Sequence, residues 1–235
     1  MRILHLYHDI MNFYGDYANV EAVKQLALSN GVSCTVDKVS LGDDADFSQY
    51  DFIFMGSATD RNQLIALEDF RRFSLQLKDY VESGKVALFT GSAFEILGKS
   101  ITENDTVCDG LGFFDFEVTK DKRVSEDIIV RFDNLKQPLV GYRNKRGAVN
   151  GITSPLFEVL YQNSKADIIK TEGVRNNNLF ATHLLGPILI KNPHFLVYIT
   201  QLIVNKELNT DSLKYNQLSF DVTFNELNKT AQLSI

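Results

Sequence analysis

The chain has 235 residues, 44% hydrophobic and 23% charged, a globular composition that excludes a disordered protein. Its 24 Lys and Arg against 30 Asp and Glu leave a net charge of −6, so no global field draws it to nucleic acid or an anionic membrane. Two cysteines are too few for a disulfide framework or a cysteine-based metal site, and no apolar run approaches the ~20 residues that span a bilayer.

Ile3 to Tyr7 reads as a first strand, and His5, His8 and Asp9 interrupt the apolar start too early for a signal peptide. A soluble cytoplasmic protein is expected. After a turn at Asn12–Gly15, residues Ala18–Asn30 place Val20, Val23, Ala27 and Leu28 at helical spacing, closed by Asn30-Gly31. Val32 to Val39 has strand composition. Phe52-Ile53-Phe54-Met55 is the continuous apolar run of a strand buried on both faces. The small turn Gly56-Ser57-Ala58-Thr59-Asp60 leads into one long helix with Leu64, Leu67, Phe70, Phe73, Leu77 and Val81 on a single stripe. Val86 to Phe89 is the next buried strand, and Thr90-Gly91-Ser92-Ala93 turns it into a helical segment.

Beyond Gly110 the pattern changes. Strands are expected at Phe113–Val118, Asp127–Phe132, Leu139–Tyr142 and Leu179–Leu185, with helices at Pro193–Lys206 and within Ser212–Ala231. Strands alternating with helices predict an α/β fold in three layers, a mostly parallel sheet between helices with a small antiparallel extension. No linker or internal repeat divides residues 1–235, so one domain is expected.

In such a sheet the functional groups gather where strands end and helices begin. The two small-residue turns allow backbone N–H groups to approach a ligand, as an oxyanion pocket requires. At the second turn Thr90 and Ser92 carry hydroxyls, and His183 is the base within reach of that sheet end, so a Ser92–His183 dyad is one candidate. Cys34 reads as core and Cys108 lies among acids that oppose a thiolate. His5, His8, His183 and His194 lack metal-ligand spacing, and no P-loop or dinucleotide fingerprint is present, so no metal or cofactor is expected. Lys120, Lys122, Arg123 and Arg143, Lys145, Arg146 read as solvated hairpin tips, with a rim that grips a carboxylate as the sharper alternative.

Several ordered segments resemble one family. They are Tyr7–Asp16 with Asn19, Gly56–Gln63, Gly84–Lys99, Gly110–Phe116, and Gly186-Pro187-Ile188-Leu189 followed by Lys191-Asn192. Together they are similar to class I glutamine amidotransferases of the cobyric-acid-synthase-like type. The likeness is greatest to the branch that supplies the amidotransferase subunit of lipid II isoglutaminyl synthase beside a Mur-ligase-like subunit. The resemblance implies a Cys nucleophile at the elbow and a His before the Gly-Pro pair; here Gly91 and Leu185 stand in those places. It also implies that Gly56 and Ser57 belong to the oxyanion-side loop and that Arg123 holds the carboxylate of glutamine or a related ligand. A glutaminase-deficient binding or partner subunit is therefore expected, with a Mur-ligase-like partner and a link to cell-wall precursor amidation. A hydrolase using Ser92 and His183 is the alternative. Replacing Gly91 by Cys and Leu185 by His is expected to restore hydrolysis if the scaffold is otherwise intact.

Overall fold

The chain alternates apolar strands with helices until one sheet has formed around its central run. The computed structural model describes residues 1–164 and 168–233. Five strands form the parallel half: β1 (Arg2–Leu6), β2 (Thr35–Val39), β3 (Phe52–Met55), β4 (Val86–Thr90) and, from much later in the chain, β11 (Leu179–Thr182). Their order is β2-β1-β3-β4-β11, and every neighbouring pair is parallel.

Strand period explains the two cores. Leu4, Leu6, Ile53, Met55, Ala87 and Phe89 point to one face and pack with α2 (Asp60–Phe70) and α3 (Ser74–Glu82). Ile3, Phe52, Phe54, Val86 and Leu88 alternate with them and pack against α1 (Tyr17–Ser29), α5 (Ile188–Lys191) and α6 (Pro193–Val204) on the other face. Both sets are essentially inaccessible to water, which is why these strands carry no polar face.

The same sheet continues from β11 through antiparallel strands β10 (Thr171–Asn176), β9 (Pro155–Gln162), β7 (Glu117–Arg131), β8 (Leu139–Asn150) and the two-residue β12 (Leu184–Leu185). A hairpin of β5 (Ser100–Glu103) and β6 (Thr106–Asp109) hangs on β7. The C-terminal helix α7 (Lys214–Ala231) covers Ile129 and Val140 with Phe220. Among the described residues no helix is long and apolar enough to cross a membrane.

Several expectations change here. The long helix after Asp60 is two helices joined by a 3-10 turn at Arg71–Phe73, and Leu64 is 38% exposed rather than on the buried stripe. The strands at Phe113–Val118 and Asp127–Phe132 are replaced by a single β7 of fifteen residues that starts at Glu117, and β5, β6, β9 and β10 lacked a readable period. The basic clusters are not hairpin tips: Arg123 lies opposite Arg146 and Val124 opposite Lys145 in mid-ladder. A bulge between Thr119 and Arg123 makes this register. It requires Gly147, at φ +75°, because a Cβ there would lie 1.7 Å from the Thr119 carbonyl oxygen.

The expected strand Leu179–Leu185 also breaks. Leu179–Thr182 pairs with β4, whereas Leu184 and Leu185 pair with Arg143 and Tyr142 of β8. The switch of partner falls at His183.

Candidate functional site

The site forms where β3, β4 and β11 end together. Gly91 joins β4 to the short helix α4 (Ser92–Glu95) with φ 60° and ψ −128°, a backbone that costs an ordinary side chain about 1–3 kcal/mol. That sharp strand-to-helix turn is the shape of a nucleophile elbow, here without a side chain. Its N–H donates to the Thr182 carbonyl of β11 at 2.8 Å.

The space above Gly91 is filled. A Cβ on Gly91 would meet Ser57 Oγ at 2.3 Å, Ser57 Cβ at 2.4 Å and Leu185 Cδ2 at 3.0 Å. The two backbone donors that face the elbow are also occupied. The Ser92 N–H donates to Ser57 Oγ at 3.3 Å, and the Ala58 N–H donates to Ser92 Oγ at 2.7 Å. Ser92 Oγ in turn donates to the Ala58 carbonyl at 3.3 Å. Two serine hydroxyls thus stand where an oxyanion pocket would need open N–H groups.

Asp16 holds the loop from below. Its Oδ2 accepts from the Ser57 N–H and from Thr90 Oγ1, both at 2.9 Å, while its buried Oδ1 has no hydrogen-bond partner among the described residues. Gly56 is obligatory beside it, since a Cβ there would lie 2.6 Å from the Met11 carbonyl oxygen. Burial pushes the Asp16 carboxyl up to about 6, against the hydrogen bonds from Thr90 and Ser57. A raised acid makes the folded state bind its proton more tightly than the unfolded chain does. Stability from this group is therefore highest below the unfolded value of 3.8 and declines as pH climbs to about 6. Asp16→Asn is expected to stabilise the protein at pH 7.5 by up to about 3 kcal/mol, with the gain vanishing near pH 4. Denaturant titrations of both proteins at the two pH values check this; an equal loss at both would overturn it.

Beside the elbow lies a polar cavity of about 280 Å³. Ser57, Ser92, Glu95, Arg123, Lys145 and His183 are among its walls. Glu95 and Lys120 form a fully buried ion pair, and Lys120 also contacts Asp60 at 2.9 Å. His183 stands between two carboxylates, with Nε2 3.1 Å from Glu95 and Nδ1 3.5 Å from Glu172. Burial alone would raise the Glu95 carboxyl, but the hydrogen bond to His183 and the charge of Lys120 outweigh it and hold it down at about 2. Glu172 is likewise held below its ordinary value, burial being overcome by His183.

The residues marked in the sequence thus meet in one place. Gly56, Ser57, Gly91, Ser92 and Leu185 form the elbow, and His183 and Arg123 line the adjoining cavity. Ser92 Oγ and both His183 ring nitrogens have other partners, so no hydrogen bond joins them. Cys34 and Cys108 are absent from the lining, and among the described residues no group of three His, Cys, Asp or Glu could hold a metal ion. Glu95 and Glu172 escaped the sequence reading, Asp16 entered it only as the end of a motif, and Lys120, expected at a solvated tip or a carboxylate-gripping rim, is buried against Glu95 instead. Glu95 alone left a signal: it is a single acid inside Ala93-Phe94-Glu95-Ile96-Leu97, otherwise a wholly apolar run.

Residues 2–193 match the family model of the CobB/CobQ-like glutamine amidotransferase domain. The chain is 30% identical over 203 residues to the lipid II isoglutaminyl synthase (glutamine-hydrolyzing) subunit GatD of Staphylococcus aureus (strain N315), covering 86% of this chain and 83% of that one. It is 29% identical over 216 residues to the subunit of the same name from Streptococcus pneumoniae (strain ATCC BAA-255 / R6), covering 90% and 83%. Among solved structures, PurLQS from Thermotoga maritima superposes with a TM-score of 0.57 at 12% identity, over 87% of this chain and 97% of that one, a likeness of fold.

Proposed function

The chain belongs to the CobB/CobQ-like glutamine amidotransferase family, and within it we propose a subunit that no longer hydrolyses glutamine. It binds a small ligand and a partner in the amidation of a lipid II-type cell-wall precursor, and the partner is a Mur-ligase-like protein in the cytoplasm. One observation carries this reading: the elbow-shaped turn at Gly91 presents no side chain, and Ser57 and Leu185 fill the space above it.

The chemistry of amide hydrolysis supports this reading. Release of ammonia from glutamine by this route needs a thiolate to attack the side-chain amide, forming a thioester as the C–N bond breaks. An imidazole protonates the departing nitrogen, and water then cleaves the thioester. Gly91 has no atom to attack with and Leu185 no proton to give. The retained cavity, the family-wide frame and Arg123 on its wall support a binding role.

The second reading is hydrolysis by Ser92 with His183, supported by their sharing one cavity. It requires Ser92 to leave Ala58 and His183 to leave a carboxylate.

Ammonia release from glutamine, measured on protein purified from its own host with whatever accompanies it, separates the two. No release with a Mur-ligase-like companion in the preparation is the expected result. Release above a partner-only control, abolished in Ser92→Ala and His183→Ala, would replace the first reading with the second.

A further inference from the structure

A second polar cavity, of about 370 Å³, lies between the edge strand β2 and α1. It shares no lining residue with the cavity beside Gly91, although the loop after β1 borders both: Phe13 and Tyr14 line the first, Asn12 and Tyr17 the second. Parallel pairing of β1 with β2 sets Ile3 level with Val36 and His5 level with Lys38, all on the face that packs against α1. The His8 ring stands beside His5, 6.2 Å away between ring centroids. On the opposite wall Tyr17, Glu21 and Lys24 follow one face of α1 at i, i+4 and i+7. Three basic side chains from the strand side and the start of α1 thus border one space.

These walls offer donors. The Lys38 ammonium makes no ion pair among the described residues. Asn12 Oδ1 already accepts the Tyr17 N–H at 3.0 Å, so what Asn12 has left to give is its Nδ2 amide. Burial, reinforced by repulsion from His8 and Lys38, pushes the His5 imidazolium down to about 4, and its buried Nε2 has no hydrogen-bond partner among the described residues. The neighbouring acids are engaged. Glu21 pairs with Lys24 at 3.1 Å, Asp9 accepts from Ser40, and Asp37, on the other face of β2, pairs with Arg2. Val20, Cys34 and Val36 make the rest of the lining apolar. Such a lining suits an anion rich in acceptor oxygens, and one placed beside Lys38 would offset the repulsion that His5 feels.

We infer that this cavity binds a phosphate group, held by the Lys38 ammonium and by hydrogen bonds from His8, Asn12 and Tyr17. A tetrahedral phosphate presents acceptor oxygens in several directions at once, which matches donors arriving from β2, from the loop after β1 and from α1. A carboxylate has two oxygens in one plane and meets fewer of them. The volume exceeds that of a bare phosphate, and the apolar part of the lining accommodates the carbon chain of a small phosphate monoester. None of these residues belongs to the Gly91 elbow, so the site stands whether or not glutamine is hydrolysed there.

Calorimetric titration of the full chain with glycerol 3-phosphate, inorganic phosphate and acetate at fixed ionic strength tests this. Phosphate in either form is expected to bind at least ~10-fold more tightly than acetate, because it gains further charge-assisted hydrogen bonds. Tighter binding of glycerol 3-phosphate assigns the site to an ester, and equal binding assigns it to the free ion; both uphold a phosphate site. Lys38→Met should weaken binding by ~10-fold or more, whereas Lys38→Arg, which keeps the charge, should stay within a few-fold. Circular dichroism confirms that each variant folds. In imidazole NMR spectra, phosphate should shift the His5 and His8 signals and leave that of His194, which contacts the Pro138 carbonyl outside this cavity, unmoved. Acetate bound as tightly as phosphate, binding indifferent to Lys38→Met, or no binding of either phosphate would overturn the inference. So would binding lost in Arg123→Gln, which would put the ion in the cavity beside Gly91.

Discussion

Ser57→Gly, Gly91→Cys and Leu185→His together are expected to produce glutamine hydrolysis, and Gly91→Cys with Leu185→His without the change at Ser57 is not. On sequence grounds the double replacement suffices, because the resemblance puts the family's nucleophile and base at Gly91 and Leu185. Geometry adds a third requirement. A cysteine Cβ at Gly91 would lie 2.3 Å from Ser57 Oγ and 2.4 Å from Ser57 Cβ, well inside contact distance, and the obstruction includes a Cβ that no rotamer can move. The Ser57 hydroxyl also accepts the Ser92 N–H, one of the donors that a developing oxyanion would need. Losing one such donor costs an enzyme about 10²–10³ in turnover, so the triple variant should exceed the double by about that factor. Removing the Ser57 side chain opens the space and frees the donor in one step. Ammonia release from glutamine by the three proteins, with melting curves to show that each is folded, checks the expectation. Equal activity in the double and triple variants would mean that Ser57 does not close the site.

Lys120→Met is expected to cost about 3–5 kcal/mol of stability, because it takes the ammonium from the buried Glu95 carboxylate and leaves the neutral Gln63 amide and the His183 ring beside it. Both members of the Glu95–Lys120 pair have side chains exposed by 3% or less, so water cannot replace the lost ammonium. The effect carries a pH signature. Glu95 is depressed from 4.5 to about 2, so its contribution is fully present above pH 4.5 and is lost as pH falls through about 2. Without Lys120 that depression shrinks, and protonation relieves the buried charge at a higher pH. The penalty of Lys120→Met should therefore be largest near pH 7 and smaller near pH 4. Adding Glu95→Gln should recover most of the loss, since the pair is then removed from both sides. Urea titrations of the four proteins in this cycle measure it. A penalty below about 1 kcal/mol would mean that water, or the Gln63 amide that donates to Glu95 Oε2 at 2.6 Å, makes up for the lost ammonium, and would overturn the expectation.

Local pattern alone was enough for the frame of this molecule. Runs such as Phe52–Met55 and Val86–Phe89 have no polar position at all, and only a strand covered on both faces can use that composition. The turns Gly56–Asp60 and Thr90–Ala93 announce where the strands hand over to helices, and Gly91 and Leu185 stand out because the resemblance expects a Cys and a His in their places. The long helix after Asp60 was misread because its apolar spacing survives a 3-10 turn, which changes hydrogen bonding but hardly disturbs the stripe.

Tertiary structure decided the rest, since the relevant contacts join residues far apart in the chain. The bulge between Thr119 and Arg123 sets the phase of β7, and phase settles that Lys120 is buried against Glu95 while Arg123 reaches the cavity mouth. Nothing local to Lys120-Asp121-Lys122-Arg123 distinguishes one cation from another. Glu172 reaches His183 only because β10 and β11 form an antiparallel pair. Ser57 could be seen in the sequence as part of a small loop, but its role as an obstruction arises where the ends of β3 and β4 converge. Parallel pairing of those strands brings Met55 level with Phe89, and so the loops that follow them face each other across a single side chain.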